Sequence, residues 1–203
     1  MLERLLLATS NAGKIREYYA LLSSTHWEMT SLSQLGIDVP VSETGKTFEE
    51  NAIIKALAYA RISNRITISD DSGLEVDALN GEPGICSARY AGENASDSER
   101  NEYLLAKLAD VPWEQRNARF QCVIAVALTD GRIKICTGTC SGMIAFQPCG
   151  TNGFGYDPVF FLPELGKTMA ELTFEEKNAI SHRGQAASKV YRVLTKPPFS
   201  AFS

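Results

Sequence analysis

The stretch LLLATSNAGKIREYYALL, residues 5–22, decides the fold. It begins as a continuous apolar run, which predicts a buried strand over residues 2–9. Ile15, Tyr18 or Tyr19, and Leu22 then recur at helical spacing. A strand therefore runs through a short polar turn, TSNAGK, directly into a helix. The alternation continues downstream. Thr47 and Glu50 form a capping-box pattern ahead of a helix through residues 51–63, in which Asn51 and Lys55 share one face and Ile53, Leu57 and Ala60 another. Ile66 to Ser69 predicts a short strand that ends at Asp70 and Asp71. LEVDALNG then predicts an alternating strand with an Asn80-Gly81 turn.

Ser96 and Glu99 form a second capping-box pattern, before a helix carrying Asn101, Leu104, Leu105 and Leu108. RFQCVIAVALTDGRIKICTGT, residues 119–139, is the plainest hairpin, with Asp130-Gly131 at its turn. Thr173 and Glu176 form a third box. A last helix is expected from about Ser181 to Leu194, closed by Pro197-Pro198. Helices and strands that alternate early, with a hairpin later, make an α/β fold with a mixed sheet. No repeat or long linker interrupts the 203 residues, which are expected to form a single domain spanning 1–203.

Composition narrows the partners. Hydrophobic content of 44% and charged content of 22% are those of an ordinary globular chain. The formal net charge of -4 and the lack of a basic run argue against a nucleic-acid polymer, though not against a small anion. No apolar stretch approaches the roughly 20 residues needed to cross a bilayer, and MLERLLLATS is not a targeting segment. The five cysteines include no CxxC. Cys136 and Cys140, in one strand, stand roughly 13 Å apart, too far for a disulfide. Buried thiols in a cytoplasmic protein are expected.

TSNAGK fails as a Walker A loop, because the first glycine of that pattern is missing and Ile15 follows Lys14. The same physics is still available. The first amides of a helix point outward unpaired, Ser10 and Asn11 can cap, Gly13 admits close approach and Lys14 adds charge. Phosphate binding and a plain capped helix both remain open from this stretch alone. In ISDDSG, two adjacent acids at a strand end suit Mg²⁺ or acid–base chemistry, with a capped turn as the alternative. In NGFGYDP, residues 152–158, glycines free the backbone, so that Phe154 and Tyr156 could flank a flat ring. A tight turn is the plainer reading. Lys177, His182 and Arg183 gather around a helix junction.

Together the cations, the acids and the aromatics suit a nucleoside triphosphate with Mg²⁺. The segments ATSNAGKIRE, ETGKTFEENAIIKA, ISDDSGLEVDALNGEPGICSARYAG, GFGYDPVFF, GKTMAEL and EKNAISHRGQA resemble, in this order, the inosine triphosphate pyrophosphatase family, the Ham1- or RdgB-like enzymes. The resemblance implies a long mixed twisted sheet with flanking helices, two lobes around a central nucleotide-binding cleft, and a homodimer. It implies Mg²⁺-dependent cleavage of dITP, ITP or XTP to the monophosphate and pyrophosphate, which cleanses the nucleotide pool. By position, Thr9, Ser10, Asn11, Ala12, Gly13 and Lys14 would bind the triphosphate, with Lys55 facing it. Glu43 and Asp71 would hold metal, with Asp70 supporting and Asp71 also the general base. Ser72, Phe154, Gly155, Tyr156, Asp157, Lys177, His182 and Arg183 would contact substrate. Ser42 and Asn152 are slight departures from the family pattern. A Maf-like pyrophosphatase of other modified nucleotides is the alternative; its opening loop is rich in Ser and Arg, unlike TSNAGK.

Overall fold

Leu5, Leu6 and Leu7 are each no more than 1% exposed, so the opening strand is buried on both faces, as its unbroken apolar run requires. The computed structural model in which they lie describes residues 4–195, so the expected Pro197-Pro198 stop falls outside the described residues. Strand β1 (Arg4–Leu7) pairs in parallel with β2 (Glu28–Ser31) on one side and with β3 (Ile66–Val76) on the other. Successive side chains of a strand point to opposite faces. Leu5 and Leu7 accordingly pack with Tyr18 and Leu22 from α1 (Ala12–Leu21) and its C-cap, and with Ala186, Ala187 and Val190 of α5 (His182–Thr195). Leu6 and Ala8 turn the other way, toward Tyr59 of α2 (Phe48–Ser63).

The sheet continues through β4 (Asn117–Ala127), β5 (Ile133–Ile144), β6 (Phe160–Leu162) and β7 (Lys167–Thr168), in the order β2-β1-β3-β4-β5-β6-β7. It is parallel at its first strands and antiparallel from β5 to β7, the mixed sheet the sequence predicts. The hairpin forms with its turn at residues 128–132, where Gly131 takes a φ of 93° and donates to the Leu128 carbonyl. Helices α3 (Asp97–Lys107) and α4 (Phe174–Ile180) both open with complete capping boxes, Ser96 with Glu99 and Thr173 with Glu176. At α2 only half of the expected box forms. Thr47 accepts from the Glu50 amide, but the Glu50 carboxylate reaches one residue further back, to the Lys46 amide.

The described chain makes two compact units. The first holds residues up to Asp71, Cys122–Gly138 and residues from Arg183 onward; the second holds Ser72–Gln121 and Thr139–His182. Each has its own core, the first around Leu5, Tyr18, Ile124 and Val190, the second around Leu74, Leu104, Phe160 and Met169. One expectation fails. The strand predicted at residues 66–69 and the start of the one predicted from Leu74 are a single eleven-residue strand, β3, which passes straight through Asp70 to Gly73 and stops at Val76, while Asp77–Leu79 form a 3-10 turn. Polar side chains and a glycine look like a strand end in sequence. Here the strand continues through them, the Asp70 carbonyl accepting from Lys55 and the Leu74 amide donating to Ser87 Oγ, and the acids sit mid-strand.

Candidate active site

The phosphate-loop candidate is an ordered helix start in the first unit. Thr9 Oγ1 accepts the Asn11 amide at 3.2 Å, and Asn11 Oδ1 accepts the Lys14 amide at 3.0 Å, so Asn11 is the N-cap of α1. Ser10, Asn11 and Ala12 are exposed. Helices α2, α3 and α4 each carry acids in their first turn, which offset the positive helix end; α1 carries none there. Asn11 takes the Lys14 amide, and an anion beside Ala12 and Gly13 would meet the positive helix end without a first-turn acid.

Asp70 and Asp71 are neighbours in β3 and therefore point to opposite faces. Asp70 meets Lys14 Nζ at 3.0 Å and lies 3.7 Å from Arg183 Nε, with its side chain wholly buried. Arg183 in turn binds Glu17 at 2.6 Å. Asp71 faces α2, where Asn51 Nδ2 donates to it at 3.1 Å and Lys55 Nζ stands 3.9 Å away. Lys55 also binds Glu43 at 2.9 Å and donates to the Asp70 carbonyl at 2.9 Å. The two acids thus make different ion pairs, Asp70 with Lys14 and Arg183 and Asp71 with Lys55.

The electrostatics follow the geometry. Burial alone would raise the Asp70 pKa, but Lys14, Arg183 and Lys55 outweigh it and hold the group well below the usual carboxylate range. For Asp71 burial prevails, with Glu43 adding to it, over the opposing pull of Lys55, Lys14 and the Asn51 hydrogen bond, and the pKa is raised. Lys55 is desolvated, which would lower its pKa, yet Asp71, Asp70 and Glu43 together raise it.

No group of three or more His, Cys, Asp and Glu side chains able to hold a metal exists among the described residues. Glu43 and Asp71 instead converge on one ammonium. Two carboxylates without nitrogen or sulfur donors fit a hard cation such as Mg²⁺, which takes one or two protein carboxylates and fills its shell with water and phosphate oxygens. They do not make an all-protein cage. Asp70, turned toward Lys14, orders that lysine. The loop that carries Glu43 is held by Asn51, whose Oδ1 accepts the Gly45 amide at 2.8 Å. A Cβ on Gly45 would come within 2.7 Å of that oxygen, so the approach needs glycine.

In the second unit the residues 152–157 form a tight loop. The Phe154 amide donates to Asp157 Oδ2 at 2.8 Å, the oxygen that also receives Lys177 Nζ at 2.5 Å. Lys177 Nζ lies 4.6 Å from the centre of the Phe154 ring. Phe154, Asp157 and Lys177 are thus brought together. Tyr156 is not placed beside them as a second ring wall; it is buried in the second core, its hydroxyl donating to the Ser87 carbonyl at 2.9 Å. His182 stacks on Phe120 at 4.7 Å between ring centres. Ser72 follows Asp71 in β3 and is half-buried.

A family model, described as the Ham1 family, matches residues 5–193. The chain belongs to the Ham1 family. It is 52% identical over 189 residues to a dITP/XTP pyrophosphatase of Geobacillus kaustophilus, covering 93% of each chain. It is also 52% identical over 187 residues to one of Shigella flexneri, covering 91% of this chain and 94% of that one. Among solved structures, a HAM1 protein from Coxiella burnetii superposes with a TM-score of 0.87 at 43% identity, over 95% of this chain and 98% of that one. The Ham1 protein of Staphylococcus aureus gives 0.85 at 48% identity, with the same coverage.

Four residues of this Ham1-family chain shape the site without having been singled out as site residues from sequence. Glu17 is a buried acid three residues after Lys14 on α1. Asn51 shares a face with Lys55, and that spacing was a usable signal. Asp97 lies within the Ser96–Glu99 capping box, Asn101 one turn further along α3, and each reads as an ordinary polar helix residue. Both bind Gly155 in the loop beside Phe154.

Proposed function

We propose that the protein is a nucleoside triphosphate pyrophosphohydrolase that converts dITP, ITP and XTP to the monophosphate and pyrophosphate. The observation that carries this reading is the first-unit cluster. An acid-free helix start and Lys14 stand ready for phosphate, and Lys55 ties Glu43 to Asp71. Membership of the Ham1 family, with relatives named dITP/XTP pyrophosphatase, supports the substrate class.

In this reading the α1 amides and Lys14 bind the triphosphate, and Lys55 adds charge beside Glu43 and Asp71. Mg²⁺, held by Glu43 and Asp71, would offset phosphate charge and acidify a bound water. Asp71 takes the proton of the attacking water, its carboxylate oriented by the Asn51 amide. Asp70 keeps Lys14 extended, and Glu17 holds Arg183. In the second unit Phe154 offers its ring to the purine, while Lys177, fixed by Asp157, presents donors that suit a 6-keto oxygen and clash with a 6-amino group. Ser72, Gly155, Tyr156 and His182 complete the substrate residues that the family resemblance implies. On the same resemblance the molecule acts as a homodimer in the cytoplasm, to be checked by sedimentation; no described helix is long and apolar enough to cross a membrane.

The test is a panel of ITP, dITP, XTP, GTP and ATP with and without Mg²⁺, reading pyrophosphate and orthophosphate separately. Pyrophosphate from the first three, only with Mg²⁺, is expected. Orthophosphate as the primary product rejects the reaction type.

A further inference from the structure

Gly155 is held on both of its peptide groups by one helix. Its N–H donates to Asp97 Oδ2 at 2.6 Å, and its C=O accepts from Asn101 Nδ2 at 3.0 Å. Asp97 and Asn101 stand four residues apart and so share a face of α3. The clamp is itself braced. Asp97 pairs with Arg100, and the helix start beneath it is fixed by the Ser96–Glu99 box. Asn101 is 4% exposed, and its Oδ1 has no hydrogen-bond partner among the described residues. A buried acceptor left unpaired is unfavourable, so the donor directed at Gly155 is the polar contact that this side chain contributes here.

What hangs from Gly155 is the rest of the loop. The residue adopts a φ of 64°, open to glycine at little strain. On one side lies Phe154, on the other Tyr156 and Asp157. Asp157 binds both the Phe154 amide and Lys177. With Gly155 fixed, the Phe154 ring and the Lys177 ammonium keep one separation. If Gly155 is released, the backbone that carries the ring loses the two bonds that tie it to α3.

We propose that Asp97 and Asn101 are positioning residues for purine choice. By clamping Gly155 they set the Phe154 ring against the Lys177–Asp157 pair, and so set how well a 6-keto purine is preferred over a 6-amino one. The proposal rests on the reading that this loop takes the base. A merely structural clamp would change stability and all rates together and leave the preference between purines alone.

The test compares Asp97→Ala, Asn101→Ala, Asp97→Asn and, as a control on the loop itself, Phe154→Leu. Four quantities are read: kcat/KM for ITP, kcat/KM for ATP, inhibition by inorganic tripolyphosphate, and amide exchange at Gly155. Asp97→Ala is expected to narrow the ITP-over-ATP ratio by about tenfold, the usual worth of a hydrogen bond to a charged group, and to speed Gly155 exchange. Tripolyphosphate, which has no base, should inhibit the variant within about twofold of the parent, since a clamp that acts on purine choice leaves phosphate binding alone. Asp97→Asn keeps an acceptor oxygen and should restore most of the ratio. Asn101→Ala should act like Asp97→Ala. If that buried change prevents folding, Asp97→Ala decides, because the Asp97 side chain is 45% exposed. An unchanged ratio in Asp97→Ala, with Phe154→Leu narrowing it, overturns the clamp. An unchanged ratio in both overturns the base reading of the loop and the clamp with it.

Discussion

The first unit holds its functional groups by charge, and the second holds its own by backbone. Around β3 in the first unit, Lys14, Lys55 and Arg183 are distributed over Glu17, Glu43, Asp70 and Asp71, and Lys55, Arg183 and Asp70 each touch two partners. In the second unit one ion pair, Lys177 with Asp157, is set by a loop whose amides and carbonyls are held from Asp97, Asn101 and Asp157. A charge network suits a polyanion, whose recognition needs strength more than shape. A clamped loop suits a flat ring told apart from its neighbours by one group. Changes in the first unit should therefore be felt equally by every triphosphate, and changes in the second by the base.

The largest expected effect is that of Asp71→Asn on turnover. It keeps the shape and the Asn51 contact but removes the proton acceptor and the charge beside Lys55. kcat should fall on the order of 10²–10⁴-fold, by the same factor for ITP and XTP. Steady-state rates with both substrates check this, and near-normal turnover would remove Asp71 from the chemistry.

Next is Asp70→Asn, measured as stability. It strips the buried partner from Lys14 and Arg183, and losing one side of a buried pair costs about 3–5 kcal/mol. The sign with pH is set by the lowered Asp70 pKa. That contribution is fully present above the unfolded value of about 3.9 and is lost as pH falls through the folded value. Urea unfolding of parent and variant should therefore differ most near neutrality and converge in acid. A gap independent of pH would mean that charge is not what the variant lost.

Lys14→Ala comes third. It should weaken ITP, ATP and inorganic tripolyphosphate alike, by roughly tenfold, read as KM and inhibition constants. A change confined to base preference would break the division of labour between the units.

The smallest effect separates the two faces of β3. The Asp71 pKa is raised, chiefly by burial, so its ionised form disfavours folding at neutral pH. Without metal, Asp71→Asn should be slightly more stable than the parent at pH 7. That advantage should shrink as pH falls through the folded Asp71 pKa, where the parent carboxylate takes up its proton. Calorimetry at several pH values reads it, and a destabilised variant would show that the attraction between Lys55 and Asp71 outweighs burial.

The legible parts of the molecule were those whose signal is local. The apolar run at Leu5 to Leu7, the hairpin turn at Gly131 and the boxes at Ser96 and Thr173 depend on residues a few positions apart, and they form as read. The capping pattern at Thr47 was read correctly as a helix start, yet Glu50 found a better donor in Lys46. β3 was split because Asp70 to Gly73 have poor strand propensity, and propensity yields to context. The same misreading hid the divergence of Asp70 and Asp71, which a continuous strand dictates at once. Within the candidate site, sequence named the groups that carry charge or a ring. It could not tell that Tyr156 belongs to a core, that Arg183 is engaged by Glu17 and Asp70, or that Asp97 and Asn101 reach Gly155. Those contacts join residues 54 to 166 positions apart, so no local pattern records them.

The composition of the two units also has a consequence for synthesis on the ribosome. The second unit needs nothing beyond His182, whereas the core of the first includes Ala186, Ala187, Val190, Val193 and Leu194. Units tend to fold as their segments become available. The half that carries the N-terminus, and with it the phosphate loop, is begun first and completed last. Until α5 emerges, the face of Leu5 and Leu7 lacks the cover of Ala186, Ala187 and Val190, and Glu17 waits for its arginine.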